Sequence, residues 1–547
     1  MSATNWNNLL QYLQFIGLAI IAVALPFSNF FMSFGMFWLA GVLLLQVITD
    51  KTRKKSLLPR WKQFTSNSSA IALVCLFAMP VVGLLWTSNF DYAMWDLRMK
   101  LPLLVLPLLI SLNNPITQGT FRALIGLFIL AVVIAVLWCL QVYSMGSPEI
   151  EKDVRNISVF ISHVRFSLLI ALALGLLVRY AHGSTQGRIL IFLCAVPCLF
   201  FIYIIGSMTG AIVLGAMLVY LALRYAFRQG SRAIRWTSTI VLATILVFSF
   251  GYLYVSYQHY FDVEPIDWNS LDQTTMRGEL YDHHTSFPFI ENGHYVMTYV
   301  AWGELYDAWY ERSLIHPDSL DGRGHVLKGT LIRYLASKDL RKDADGVASL
   351  SAEDIAAIER GVPTCTESEQ RGLAKRLNRI FFEWSNYRAG GDPDGHSVIQ
   401  RWEFWKTAAW IIQRNAWTGV GTGDVKDAFR EAYVATNSPL DEKYRLRAHN
   451  QYLTIWITYG IVGLLVFLVI VCWPLLSGFA NDPVVAITVL LAALSFITED
   501  TLESQAGVMF VAFFYSLFTS KRTVVLQELR RAKSKATHLS SDVSQHR

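Results

Sequence analysis

The feature that most limits what this chain can fold into is a series of apolar runs, each close to the length of a bilayer-spanning helix. Crossing the hydrocarbon takes about 20 apolar residues in a helix, because lipid offers no partner to an open backbone N–H or C=O. About twelve stretches qualify: 9–27, 29–48, 70–88, 100–113, 121–143, 164–180, 189–205, 208–227, 236–256, 452–474, 484–498 and 506–520. The first lacks a basic start and a small-residue cleavage site, and the second follows at once. It therefore reads as a retained helix, not a removable signal. Charged residues make up 16% of the 547, against about 25% in a soluble protein. Apolar side chains fill the deficit, which excludes disorder, a collagen-like repeat and a small disulfide scaffold. The expected fold class is an all-α polytopic membrane protein.

Lys and Arg in the short loops set the orientation. Lys51, Arg53, Lys54, Lys55, Arg60 and Lys62 lie between spans two and three, and Arg224, Arg228, Arg232 and Arg235 between eight and nine. Lys521, Arg522, Arg530, Arg531, Lys533 and Lys535 follow the last span. Twelve spans put all three groups on one face, the cytoplasmic one, together with both termini. The opposite loops are mixed or acidic, as at Glu149, Glu151, Lys152, Asp153 and Arg155. The net charge of +6 is thus explained by topology, and nucleic acid is not an expected partner.

The division follows: spans one to nine over 1–257, an outer polar domain over 258–448, spans ten to twelve over 449–520 and a basic cytoplasmic tail over 521–547. The outer domain carries its own core candidates, including Trp302, Trp309, Phe381, Trp384, Trp402 and Trp405. Helical patterns recur at 294–313, 351–360 (opened by a Ser351/Asp354 capping pattern), 366–388, 397–415 and 423–436. A mostly helical cap is expected. Of the six cysteines, Cys75, Cys139, Cys194, Cys198 and Cys472 lie in apolar stretches and only Cys365 lies outside them. Cys194 and Cys198 read as buried helix-packing thiols.

Chemistry concentrates just before span ten, in Tyr444-Arg445-Leu446-Arg447-Ala448-His449-Asn450-Gln451-Tyr452. His449 falls where a helix begins at the outer water–lipid boundary, with arginines two and four residues before it. A helix N-terminus and nearby guanidiniums suit an anion such as a diphosphate. Neighbouring cations and partial burial favour a neutral imidazole able to accept a proton. Physics alone leaves a second reading open, a basic interfacial collar with a histidine anchoring the helix end.

His449-Asn450, nine residues, Gly460, two residues and Gly463 resembles the signature that closes the large periplasmic loop of the bacterial O-antigen ligase/polymerase superfamily. Arg401-Trp402-Glu403-Phe404-Trp405, followed by Gly419-Val420-Gly421-Thr422-Gly423-Asp424, is similar to that family's arginine-led helix and Gly-Val-Gly turn. The motifs lie within 401–463, whereas the resemblance in topology covers the whole chain. It implies a GT-C-like layout of about twelve transmembrane helices with a large periplasmic domain between the ninth and tenth, and it favours the ligase branch in a bacterial inner membrane.

The implied activity is transfer of a whole glycan from undecaprenyl diphosphate to an acceptor hydroxyl, on lipid A–core or another glycolipid. By resemblance, His449 is the candidate base and Arg401 a candidate diphosphate ligand. Arginine binds phosphate in a bidentate way and keeps its charge. Arg445 and Arg447 join them from position alone, with Asn450 inside the motif. Family members often carry an arginine after the serine in the segment that reads here Gly206-Ser207-Met208-Thr209-Gly210. Met208 departs from that pattern, and Arg165, at the start of span six, is proposed as the substitute. Its other reading is an interfacial anchor paired with the acids at 149–153. Glu499 and Asp500 fit either an acceptor-positioning or tautomer-fixing role or a solvated turn, and Glu503 reads as part of such a turn.

Asp343-Ala344-Asp345 and Asp392-Pro393-Asp394 have the form of a metal-binding pair but sit in Gly- and Pro-marked turns, where Asp is favoured for its local hydrogen bonds. His283, His284, His294 and His316 lack a third donor at ligand spacing. No metal and no cofactor are expected. The repeat-unit polymerase and protein O-oligosaccharyltransferase branches of the superfamily remain alternatives. A lipid or solute transporter is the alternative of another class, which would place charged or broken-helix sites nearer mid-membrane.

Overall fold

The computed structural model describes the chain apart from residues 1–2, 50–52, 147–153, 182, 229–230, 264–265, 269, 285–288, 367–371 and 521–547. The acids at 149 and 151–153 and the basic tail therefore lie outside the described residues. Each of the twelve apolar stretches is helical. Among the described residues nine helices are long and apolar enough to cross a membrane, from Asn5–Ala24 at one end of the chain to Gln451–Phe479 at the other. Three shorter apolar helices, Pro102–Leu112, Pro483–Thr498 and Gln505–Ser520, fill the remaining positions. The protein is an all-α polytopic membrane protein.

His163–Ala181 stands at the centre of the bundle, with 72% of its apolar window buried. It packs against Gln118–Met145, Thr185–Ile205, Met208–Arg228 and Pro483–Thr498. Arg232–Phe261 is the opposite case: none of its window is buried within the protein.

The helix Gln451–Pro474 departs from a straight tenth span. Gly460 interrupts it at φ 68° and ψ −172°. The rings of Tyr452 and Phe467 lie 6.0 Å apart and both pack on Phe496, whereas that stretch of straight helix would separate them by about 22 Å. The chain doubles back at Gly460. Only glycine fits there, because a Cβ would lie 1.9 Å from the Trp417 carbonyl oxygen.

The polar region holds two apolar cores. One gathers Trp309, Leu331, Leu335 and Ile358. The other joins Phe404, Ala408, Phe429 and Tyr433 to Ile457 of the broken helix. Four expected helical patterns appear as Ala352–Glu359 with a complete Ser351/Asp354 capping box, Gly372–Arg388, Ser397–Arg414 and Val425–Ala435. The pattern at 294–313 is helical only over Trp302–Tyr310. Ahead of it, Ile290–Glu291 and His294–Tyr295 pair as a short antiparallel hairpin. The cause is local: Asn292 and Gly293 both take positive φ, 49° and 82°, the signature of a two-residue hairpin turn. A further helix, Leu327–Ser337, was not foreseen. None of the six cysteines is in a disulfide, and Cys194 and Cys198 are buried in helix packing.

Candidate active site

His449 is fixed from three directions. Asn450 caps the following helix by accepting the Leu453 N–H at 3.1 Å, and its amide donates to the Ile497 carbonyl at 3.0 Å. That pair of bonds fastens the loop to the end of Pro483–Thr498. His449 itself has φ 46°, a left-handed conformation uncommon outside glycine. Asp500 holds it there: Oδ2 accepts the His449 main-chain N–H at 3.0 Å, and Oδ1 accepts the Thr454 hydroxyl at 2.6 Å. The imidazole lies face to face with Phe404, centroids 5.6 Å apart.

Nδ1 of His449 lies 3.4 Å from Glu499 Oε2. With the proton on Nδ1 toward the carboxylate, Nε2 keeps its lone pair and has no hydrogen-bond partner among the described residues. The side chain is 32% exposed. Burial works against the Glu499 charge, but the His449 hydrogen bond and the charges of His449, Arg401 and Arg165 outweigh it and hold the carboxyl below its ordinary range. Burial dominates for Asp500 and raises its carboxyl despite Arg447 and Thr454.

Glu499 also receives Arg401, whose guanidinium reaches Oε1 at 3.1 Å. One carboxylate thus joins the two residues on which the sequence reading most depends. Arg401 makes a second bond to the Ser397 carbonyl at 3.2 Å, while its Nε is buried without an acceptor among the described residues. Arg165 carries the same feature, a buried Nε without an acceptor, and its charge is felt at Glu499. A buried guanidinium N–H without a partner is costly and marks a place for an acceptor. Beside them Ser207 accepts the Gly210 N–H at 3.1 Å, and Thr209 meets Thr498 at 3.3 Å. The Ser207-Met208-Thr209 turn therefore adjoins Glu499, with Met208 where the resembling family offers an arginine.

The other two arginines have different surroundings. Arg445 turns its Nε to the Leu440 carbonyl at 2.8 Å and lies over the Tyr433 ring, so it braces the loop against the polar domain. Arg447 donates to Glu503 at 2.9 Å and to the Tyr92 hydroxyl at 3.0 Å. Glu503 corrects its expected place in a solvated turn. Its side chain is 7% exposed, and Lys100 meets its other oxygen at 2.9 Å. Lys100 in turn pairs with Asp96 at 2.8 Å. Burial opposes the charge on Glu503, and Arg447 and Lys100 overcome it, holding the carboxyl well below its usual range. The sequence offered no signal for this network, because Asp96 and Lys100 lie on Phe90–Lys100, some four hundred residues from Glu503.

Arg376 was also missed. It donates to Ser397 Oγ at 2.7 Å at the first turn of the Arg401 helix, where Arg379, Arg155 and Arg401 add further positive charge. Phe404, the stacking partner of His449, is a helical neighbour of Arg401 at i+3, which the sequence alone makes available.

The aspartate pairs serve local structure. Asp343 caps Ala344–Ala348 by accepting the Gly346 N–H, and Asp392 accepts the Asp394 N–H in a turn. His284, His294 and His316 each face a single aspartate. Among the described residues no three His, Cys, Asp or Glu side chains group as metal ligands would.

The family model described as O-Antigen ligase matches residues 361–468. That segment contains the Arg401 helix, the glycine turn, His449 and both Gly460 and Gly463, whereas Arg165, Glu499 and Asp500 lie outside it. No curated protein matches the chain. The segment that supplies Arg401 and His449 is thus the part of the chain that is similar to the O-antigen ligase family.

Proposed function

We propose that the protein is an inner-membrane glycosyltransferase that moves a glycan en bloc from undecaprenyl diphosphate to an acceptor hydroxyl, on lipid A–core in the ligase reading. His449 Nε2 takes the proton of that hydroxyl, and Glu499 stabilises the imidazolium that forms. The hydroxyl oxygen bonds to the anomeric carbon from the face opposite the diphosphate, the anomeric C–O bond breaks, and configuration inverts. The departing diphosphate is met by Arg401 and Arg165. The preactivated donor supplies the driving force, so no nucleotide is required.

The observation that carries this reading is the shared carboxylate: Glu499 receives His449 Nδ1 and Arg401 together, leaving a basic nitrogen beside a guanidinium. The buried Nε–H groups of Arg401, Arg165 and Arg447, each without an acceptor among the described residues, support an anionic leaving group. The basic loops at 60–62 and 224–235 support an orientation with the termini in the cytoplasm and His449 at the periplasmic face.

The test is transfer by the purified protein in liposomes, with a lipid-diphosphate glycan donor, a lipid A–core acceptor and a chelator arm. His449→Ala and Arg401→Ala are expected to fold and to be inactive, and chelation is expected to change nothing. Full activity in both variants would overturn the site. In cells, loss of a ligase leaves lipid A–core bare, whereas cores capped with a single unit would assign the protein to the polymerase branch.

A further inference from the structure

At the other end of the Arg401 helix lies an open cleft of about 1270 Å³. Trp410 lines it, about 14 Å along the helix axis from Arg401. The facing wall is the loop after Ser68–Trp86, with Trp86, Ser88 and Asn89, and the floor is the helix Val425–Ala435. The cleft is built rather than loose. Asp424 accepts the main-chain N–H groups of Ser88 and Asn89 at 2.7 and 2.8 Å, and Asp427 accepts the Asn89 amide at 3.0 Å. These bonds tie the membrane-side loop to the polar domain. Gly421 approaches the same loop so closely that a Cβ would lie 2.7 Å from Thr87 Oγ1.

The lining has a definite chemistry. Trp86 lines the cleft and is 39% exposed. Arg414 sits 3.6 Å from the Trp410 ring centroid, and Arg430 is paired with Asp427 at 2.5 Å. The Glu431 carboxylate and the Ser88 hydroxyl are exposed and have no hydrogen-bond partner among the described residues. Three carboxylates therefore face two guanidiniums, one stacked and one ion-paired. Phosphate or carboxylate groups meet a net negative lining here and are disfavoured. Lipid chains are disfavoured too, since the carboxylates would lose their water. Aromatic faces with acceptors and hydroxyls beside them suit the apolar C–H face and the hydroxyl rim of a sugar. The volume exceeds the range of an ordinary small-molecule pocket, about 300–1,000 Å³.

We infer that this cleft binds an uncharged oligosaccharide, with Trp86 as its stacking surface and Glu431 and Ser88 as hydrogen-bonding groups for sugar hydroxyls. The glycan belongs either to the lipid-linked donor or to the acceptor, and that part of the inference rests on the transfer reading above. The cleft lies outside the base and the diphosphate arginines, so it governs which glycan is held and not how the bond is exchanged.

The test presents full-length protein in nanodiscs to an array of neutral, phosphorylated and carboxylated oligosaccharides. Neutral glycans are expected to be retained by the wild type and by His449→Ala. Trp86→Ala and Glu431→Gln are expected to lose about tenfold in affinity, with Trp86→Phe restoring most of it. A blank array, retention dominated by anionic glycans, or equal retention by the cleft variants would overturn the inference. In the transfer assay, Trp86→Ala is expected to raise the apparent KM about tenfold for one glycan partner only, with kcat within about twofold, and so to identify donor or acceptor as the occupant. Retention on the array without any transfer by the wild type would remove the transfer reading and leave the cleft standing.

Discussion

Glu499 Oε2 lies 3.4 Å from Nδ1 of His449, while the other oxygen of the same carboxylate is held by Arg401. Replacing Glu499 with Gln keeps the shape but removes the charge that balances an imidazolium. The expected result is a fall in kcat of about 10²-fold or more with a small change in donor KM, against about 10²–10⁴-fold for His449→Ala. Steady-state kinetics in liposomes measure both. A change confined to KM would show that Glu499 binds substrate instead of orienting the base.

Arg401→Lys separates charge from shape. A lysine keeps the positive charge but cannot hold Glu499 and a phosphate through a planar fork. Donor KM is expected to rise and kcat to fall, together lowering kcat/KM about 10-fold or more, a loss equivalent to one charge-assisted hydrogen bond. Wild-type kinetics in Arg401→Lys would mean that only charge matters at this position.

The network of Arg447, Glu503, Lys100 and Asp96 is a stability element. Glu503→Gln leaves two buried cations with one fewer counter-charge, an expected cost of about 3–5 kcal/mol. Thermal unfolding in detergent, followed by tryptophan fluorescence, reads this directly. An unchanged Tm would place these side chains in water.

Asp96 gives the same network a pH signature. Burial lifts its carboxyl to about 6, against the pull of Lys100 and with a push from Glu503. The folded protein therefore binds this proton more tightly than the unfolded chain. Its contribution to stability is present at low pH and is lost as pH rises toward 6 and beyond. Glu503, with its depressed carboxyl, has the opposite slope, but only below the ordinary Glu range near about 4.3. Between pH 5 and 7 the wild type is expected to lose about 1 kcal/mol that Asp96→Asn does not. Parallel unfolding curves for the two proteins across that window would contradict the assignment.

Gly460→Ala is expected to abolish folded protein, because the new Cβ meets the Trp417 carbonyl and φ 68° is strained for alanine. Gly41 is the control. Nothing lies within 4 Å of a Cβ there, and Gly41→Ala in the same kind of apolar helix is expected to be neutral or stabilising by about 0.5–1 kcal/mol. Expression level and size-exclusion profile distinguish the two.

Much of this fold was legible because lipid imposes a single rule on length and composition, and each apolar stretch is indeed a helix. The pairing of His449 with Arg401 was legible through their motifs, and Glu499 and Asp500 through their position at the end of an apolar run. What escaped depended on contacts distant in sequence. Lys100 and Asp96 come in from another helix to enclose Glu503, the partner of Arg447. Arg445 donates its Nε–H to the Leu440 carbonyl, a bond within the loop that its motif position did not announce. Two misses had local signals. Asn292-Gly293 is a hairpin dipeptide just ahead of an assumed helix, and Gly460 sits mid-run, where hydropathy cannot register a positive φ.

The bend at Gly460 is also expected to make the position of His449 less sensitive to bilayer thickness. A thinner or thicker membrane tilts the arm beyond the glycine to relieve hydrophobic mismatch. The arm before it stays docked on Ala416, Val420 and Gly421 through its own hydrogen bonds. His449 is therefore expected to keep its register with Glu499 across lipids of different chain length.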